Sequence, residues 1–357
     1  MRTDVKGHRD AAQHPRQDGP TQMFRSTQKG ESSSWLVPNF RRSINRRLFN
    51  GDAFSTGPSK MSSRRFLAYA LLFIVHLITP SGAEFTADFN DWLTQNFGSD
   101  VQKTLERKDI PGNAGSMGGK TTRDEQLVNN PVIFVHGVSD YARGRLGHVA
   151  RHLLGRGHKG SEIYGTTYAD GPQGDALRWA QYSMKCAYVK QVRALIVAVR
   201  LYTGRAVDVI GYSLGVVVSR KAILGGVCVD TGEYLGQPLT RYVDTYIGVA
   251  GPNHGVPGCV LPVLPVCNQI TGLYAGTCPN SSKYLQDINA VAGYEGQNRY
   301  TIFSKSDITV GYKVCGVETG SIAGQTRQFV FERQNHDQIL SDTAELQRKL
   351  LTNHSDQ

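Results

Sequence analysis

No stretch of this 357-residue sequence holds the roughly 20 consecutive apolar residues that a membrane-spanning helix requires, which argues against a polytopic membrane protein. Six cysteines occur and none forms a C-x-x-C pair, so no structural zinc site is expected. Gly118-Gly119-Lys120-Thr121-Thr122 lacks the earlier glycine that a phosphate-cradling loop needs, and no strong strand precedes it. No metal and no cofactor are therefore expected. Internal repeats are absent as well. A charge of one sign is missing from most of the chain, although the formal net charge is +10: residues 1–83 hold 13 Lys+Arg against 5 Asp+Glu, and the remainder carries 27 basic and 25 acidic groups. The basicity belongs to the front end, which argues against a nucleic-acid partner for the folded part. Hydrophobic residues at 39 % and charged residues at 20 % are enough for a globular core and exclude disorder of the whole chain.

Residues 1–60 are rich in Arg, Ser, Gln, Asp and Gly without sustained periodicity, and such a segment buries too little apolar surface to offset its ordering entropy. At Met61 the pattern changes. Met61-Ser-Ser-Arg64-Arg65 is a short basic start, and Phe66 to Ile78 is an apolar run interrupted by His76. Thr79-Pro80-Ser81-Gly82-Ala83 then puts small residues at the −3 and −1 positions of a cut after Ala83, the three-part layout of a secretory signal peptide. The expectation is that 1–60 is a disordered basic extension arising from an over-long gene model, with Met61 as the initiator. The alternative is an uncleaved signal-anchor with a basic cytoplasmic tail. All six cysteines lie downstream of the cut, in keeping with disulfides in an oxidising compartment. Six cysteines allow 15 connectivities, and spacing marks out only a local Cys259–Cys267 loop. The sequons Asn280-Ser281-Ser282 and Asn353-His354-Ser355 agree with a secreted glycoprotein.

From 84 to 357 the pattern predicts one α/β domain. Residues 131–136 form a continuous apolar strand of the kind buried on both faces. Helices are expected near 143–155, at 187–202 with Val189, Val192, Leu195, Ile196 and Val199 on one face, at Leu214 to Leu224, and at 337–352 with Ile339, Leu340, Leu346 and Leu350 inward. Strands are expected near 162–168, at Ala206 to Ile210, at Tyr242 to Ala250, at Tyr300 to Ser304 and around Phe329 to Phe331. Alternating strands and helices imply right-handed crossovers and a mostly parallel central sheet with helices on both faces. Sites in such sheets sit at the carboxyl ends of the strands.

At one of those ends stands Gly211-Tyr212-Ser213-Leu214-Gly215, between a strand and a helix. A serine hydroxyl is a weak nucleophile and must be lifted clear on a tight turn where a histidine reaches it, and small residues two positions away on either side make room. The other reading of the pentapeptide is a glycine-rich turn with an idle serine. His136-Gly137-Val138 ends the first strong strand. A tetrahedral intermediate needs two preorganised donors, and the N–H groups of Val138 and Leu214 are the candidates, with His136 bracing the loop. The acid and base should follow Ser213 in that order. Asp307 leaves the strand ending at Ser304 and is preferred over Asp230 (after a helix), Asp244 (inside a strand), Asp287 (in an irregular stretch), Asp337 and Asp342. His336, opening the final helix, is preferred over His254 and His354 as the base.

The strand–HGV loop, the GYSLG elbow, IFSKSD and QNHDQI in this order resemble the class 2 lipases, an α/β-hydrolase family, and more narrowly the secreted lipase-like proteins of nematodes. The similarity covers most of residues 86–352. It implies Ser213, Asp307 and His336 as a triad, Val138 and Leu214 as oxyanion donors, and hydrolysis of carboxylic esters, acylglycerols in particular, without cofactor. A longer chain, six cysteines and an insertion at about 253–283 depart from the small bacterial members. Within the insertion, Cys259-Val-Leu-Pro-Val-Leu-Pro-Val-Cys267 either borders an acyl pocket or meets a lipid surface, or simply packs on the core. A lipid or ester, held in solution or at a lipid–water interface, is the expected partner, and no stable protein partner is expected. Acyl transfer to another alcohol would use the same site, and a non-catalytic lipid- or protein-binding domain on this scaffold is the reading from a different class.

Overall fold

The computed structural model describes residues 84–171 and 180–357, which lie in a single compact unit. The basic extension 1–60, the leader 61–83 and the cleavage point after Ala83 lie outside the described residues. A seven-stranded sheet runs through the middle: β1 (Ser116–Met117), β2 (Val132–Val135), β3 (Ile163–Thr166), β4 (Val207–Tyr212), β7 (Val243–Val249), β8 (Asn298–Ser304) and β11 (Arg327–Phe331), in spatial order β1-β3-β2-β4-β7-β8-β11. Only the edge pair β1–β3 is antiparallel. Two small antiparallel ribbons stand apart, β5 (Gly226–Val227) with β6 (Tyr234–Gly236) and β9 (Lys313–Val314) with β10 (Val317–Glu318).

Strand side chains alternate between two cores, as a doubly covered sheet requires. Ile133 and Val135 of β2, with Val207 and Val209 of β4, face α1 (Ala87–Phe97), α2 (Ser99–Glu106), α4 (Cys186–Thr203), α5 (Leu214–Leu224) and α6 (Lys283–Asn289). Val132, Phe134, Ile210 and Tyr212 face α3 (Gly147–Gly155), α7 (His336–Asp342) and α8 (Ala344–Asn353). The five apolar residues read as one face of the 187–202 helix are all buried in α4.

Three local expectations need correction. The helix expected from 143 begins only at Gly147, because the buried Asp140 carboxylate accepts the Arg145 N–H and holds the preceding residues in turns. The single helix over 337–352 is two: the Thr343 hydroxyl turns back onto the Ile339 carbonyl at 2.6 Å, and the chain bends there. Asp287, placed in an irregular stretch, lies in α6, whose N-cap Ser282 accepts the Leu285 N–H. The pair α1–α2 went unread, since few apolar residues mark it: Phe89 and Leu93 are the buried residues of α1, and Leu105 is the buried apolar residue of α2.

All six cysteines are paired: Cys186–Cys228, Cys259–Cys267 and Cys278–Cys315. Both sequon asparagines are exposed. Among the described residues no helix is long and apolar enough to cross a membrane.

Candidate active site

β4 is buried along its whole length and ends abruptly at Ser213, whose φ of 54° and ψ of −127° depart from both strand and helix. Non-glycine residues rarely adopt a positive φ, and such a conformation persists only where its surroundings enforce it. Here the Ser213 N–H is tied to the Val249 carbonyl of β7 at 2.9 Å, and α5 starts at the next residue. Gly215 lets α5 approach the end of β2: a β-carbon there would stand 2.1 Å from the Val135 oxygen and 2.4 Å from the His136 oxygen. Gly137 backs directly onto Ser213, where a β-carbon would stand 3.0 Å from the Ser213 β-carbon.

Two loops from distant parts of the sequence complete the cluster. After β8 the chain turns through Asp307, whose Oδ1 accepts the N–H groups of Thr309 and Val310 at 2.9 and 3.1 Å. After β11, Asn335 caps α7 in a reciprocal bond with Gln338, and His336 is the first helical residue. His336 Nδ1 lies 2.7 Å from Asp307 Oδ2, and Nε2 lies 2.9 Å from Ser213 Oγ. An ionised carboxylate only accepts, so Nδ1 carries the proton and Nε2 presents its lone pair to the serine hydroxyl. The Asp307 carboxylate is almost wholly buried and the imidazole mostly so.

The competing groups are engaged elsewhere. Asp230 accepts the Cys186 N–H, Asp244 holds Asn130 and His354, and Asp287 pairs with the buried Lys221. His254 bonds the Ser321 carbonyl. His136 is fully buried: it receives the Tyr168 N–H on Nε2 at 3.1 Å, donates from Nδ1 to the Gly137 carbonyl at 2.7 Å, and stacks on the Tyr168 ring at 4.1 Å. Burial holds its pKa below the usual value. It is a neutral brace for the loop that carries Val138. Among the described residues neither the Val138 nor the Leu214 N–H is paired with a backbone carbonyl, and Leu214 opens α5, whose dipole favours negative charge at that end.

Sequence reasoning missed a clamp on the imidazole. The Tyr212 hydroxyl donates to Asp337 Oδ1 at 2.6 Å and lies 3.2 Å from the His336 carbonyl, while its ring lies 5.2 Å from the His336 ring. Burial and the Asp337 carboxylate push the phenol far above its usual pKa, so it stays a donor. Arg145 pairs with the same Asp337 oxygen at 2.9 Å. An aromatic residue directly before the elbow serine was the one available signal.

A mostly parallel sheet covered on both faces, with a serine on the strand-to-helix turn after β4 and an imidazole after the last strand, defines an α/β hydrolase. The family model for class 2 lipase matches residues 129–349, and the chain belongs to that family. None of the curated proteins compared with it matches. Among solved structures it is similar to a mature lipase from Bacillus licheniformis (16 % identity, 66 % of this chain and 98 % of that one, TM-score 0.44). It is also similar to lipase B of Aspergillus fumigatus (14 % identity, 63 % and 53 %, TM-score 0.42) and to an esterase domain from Rhodothermus marinus (14 %, 65 % and 88 %, TM-score 0.35). Membership of a lipase family makes ester hydrolysis the coarse activity.

Proposed function

We propose that the protein is a secreted serine hydrolase that cleaves carboxylic esters, acylglycerols among them, through a Ser213–His336–Asp307 triad. The observation that carries the reading is the continuous chain of contacts from Asp307 Oδ2 through the imidazole to Ser213 Oγ, 2.7 and 2.9 Å long. His336 Nε2 takes the hydroxyl proton as Oγ attacks the ester carbonyl. The negative charge that develops on the carbonyl oxygen falls to the Val138 and Leu214 N–H groups, each worth roughly 10²–10³ in rate. Collapse returns the proton to the leaving alkoxide and leaves an acyl group on Ser213. Water, activated by the same imidazole, then releases the acid. Asp307 keeps Nδ1 protonated and the ring aimed, and favours the imidazolium that forms in each half-reaction.

Export rests on the leader at 61–83 and on three disulfides in the folded part. The mature domain would then be 84–357. The test is Ser213→Ala. Hydrolysis of a panel of esters of increasing acyl length should fall by about 10⁴-fold or more, and labelling by a serine-directed fluorophosphonate should disappear. Labelling that persists at another serine would reject the assignment, and a wild-type protein inert on the whole panel would leave a binding domain on a hydrolase scaffold.

A further inference from the structure

From residue 84 onward the chain carries 27 basic and 25 acidic groups, but the two signs are not evenly mixed. Residues 141–161 hold Arg143, Arg145, Arg151, Arg156 and Lys159 and no Asp or Glu, which leaves 22 basic against 25 acidic groups for the remainder. The positive surplus of the folded part therefore lies in one segment, and that segment forms α3. Val149, Ala150 and Leu153 turn into the core, so His148, Arg151 and His152 stand on the outward face. Arg145 before the helix and Arg156 after it are exposed as well, and Arg348 of the adjoining α8 extends the row. The carboxylates beside the row are already engaged. Glu345 lies 2.7 Å from His152 Nε2, 2.8 Å from Arg348 Nη2 and 3.9 Å from Arg156 Nε. Arg348 and then His152 hold its carboxyl down at about 2. Asp337 takes Arg145 at 2.9 Å. Among the described residues Arg151 has no acidic partner. The face thus presents more guanidinium than its own neighbours neutralise.

We infer that the outward face of α3, with Arg145, Arg156 and Arg348, is a docking surface for a sulfated polysaccharide. Three features select this occupant. α3 is about 13 Å long, and its charges form a row on a convex helix face, which suits an extended polymer with repeated anionic groups. Most of the cations are arginines, whose planar fork grips oxyanions through two parallel hydrogen bonds. The face also has nothing to insert into an acyl layer. A helix lying in a membrane surface sets Leu, Phe or Trp against lipid, whereas Val149, Ala150, Leu153 and Leu154 all pack on the protein core. The choice of polymer rests on the export reading, which brings the surface out to where such polysaccharides occur. The attraction itself does not depend on it. Docking of this kind would hold an exported enzyme near the place where it is released.

The full chain is expressed in a secreting host and taken from the medium or, where it stays inside, from the cells, so that wild type and variants share one amino terminus. Binding of a heparin octasaccharide is followed by calorimetry. Affinity should fall steeply between about 0.05 and 0.3 M salt. Arg151→Glu with Arg156→Glu should weaken binding by about tenfold or more. Lys103→Glu with Lys283→Glu makes the same change in net charge at two exposed lysines elsewhere and should cost less than about threefold. None of these residues belongs to the catalytic cluster, so kcat/KM on p-nitrophenyl acetate should stay within about twofold in both pairs, which also reports that they fold. Equal losses in the two pairs, an undiminished affinity, or an affinity indifferent to salt overturns the proposal. So does equal binding of fully desulfated heparin, because sulfate would then not be what is recognised. Tighter binding to phosphatidylserine-containing vesicles or to duplex DNA, abolished by Arg151→Glu with Arg156→Glu, overturns it too, because a different polyanion would then fit the face. Protein that remains in the cells yet binds as expected defeats the export reading alone, and exported protein that ignores the octasaccharide defeats this inference alone.

Discussion

Replacing Gly215 by alanine is the sharpest perturbation of the elbow, because it adds one methyl group where two carbonyl oxygens already stand. The new carbon would begin 2.1 Å from the Val135 oxygen and 2.4 Å from the His136 oxygen. A carbon and a carbonyl oxygen settle at roughly 3.3 Å or more, so about 1 Å must be found. The carbonyls do not yield easily. Val135 is registered against Gly211 within the sheet, and the His136 oxygen accepts the buried Tyr168 hydroxyl at 2.8 Å. The helix moves instead, carrying the Leu214 N–H and Ser213 with it. Overpacking of this size costs about 3 kcal/mol, more than the roughly 1 kcal/mol alanine gains over glycine in a helix. For a domain of this length the net loss of about 2 kcal/mol is a fall in melting temperature of about 4–8 °C. A 1 Å misplacement of reacting groups costs about 10²-fold in rate. Gly155→Ala, at the end of α3 with no atom within 4 Å of the new carbon, is the matched control and should be neutral or slightly stabilising. Calorimetry and kcat/KM on p-nitrophenyl butyrate read both effects. A Gly215→Ala protein within threefold of wild-type activity, melting within about 2 °C of it, would refute the close-approach argument.

Tyr212→Phe keeps the ring beside His336 and removes the hydroxyl bonds to Asp337 and the His336 carbonyl. We expect kcat to fall about five- to thirtyfold with KM nearly unchanged, from roughly 1–2 kcal/mol of lost positioning; an unaltered kcat and pH profile would show that Asp337 and Arg145 hold the imidazole without it. His136, His158 and His254 are each held below the ordinary histidine pKa, burial being the largest cause. The unfolded chain takes up these protons near pH 6.5 and the folded chain only at lower pH, so stability should fall as pH drops below about 6.5, by up to about 1.4 kcal/mol per unit for each imidazole. His254→Gln should flatten that slope in urea titrations between pH 7 and 5, and an unchanged slope would discard the account.

The sheet was legible wherever a strand is buried on both faces. The strands expected at 131–136, Ala206 to Ile210, Tyr242 to Ala250 and Tyr300 to Ser304 correspond to β2, β4, β7 and β8 within about two residues, because short, mostly apolar runs between turn signals read as strands. Edge pieces were not legible: β1 is two residues long, and its pairing with β3 is set by the chain around it. The break at Thr343 was hidden because Ile339, Leu340, Leu346 and Leu350 keep helical spacing across it. At the site, Ser213, Asp307 and His336 were chosen by where strands end, a property of topology, and the structure brings these three side chains together. The Tyr212–Asp337–Arg145 clamp was not, because it joins residues 145 and 337 through a fold that neither local sequence specifies.

The three groups of the cluster hang from β4, β8 and β11, so they join the growing polypeptide in that order. A nascent chain displays the hydroxyl first and the carboxylate next, and it gains the imidazole only after the last strand of the sheet has been made. Until then it carries a serine with no proton acceptor beside it. Synthesis through α7, not of the elbow, is thus the step that completes the cluster.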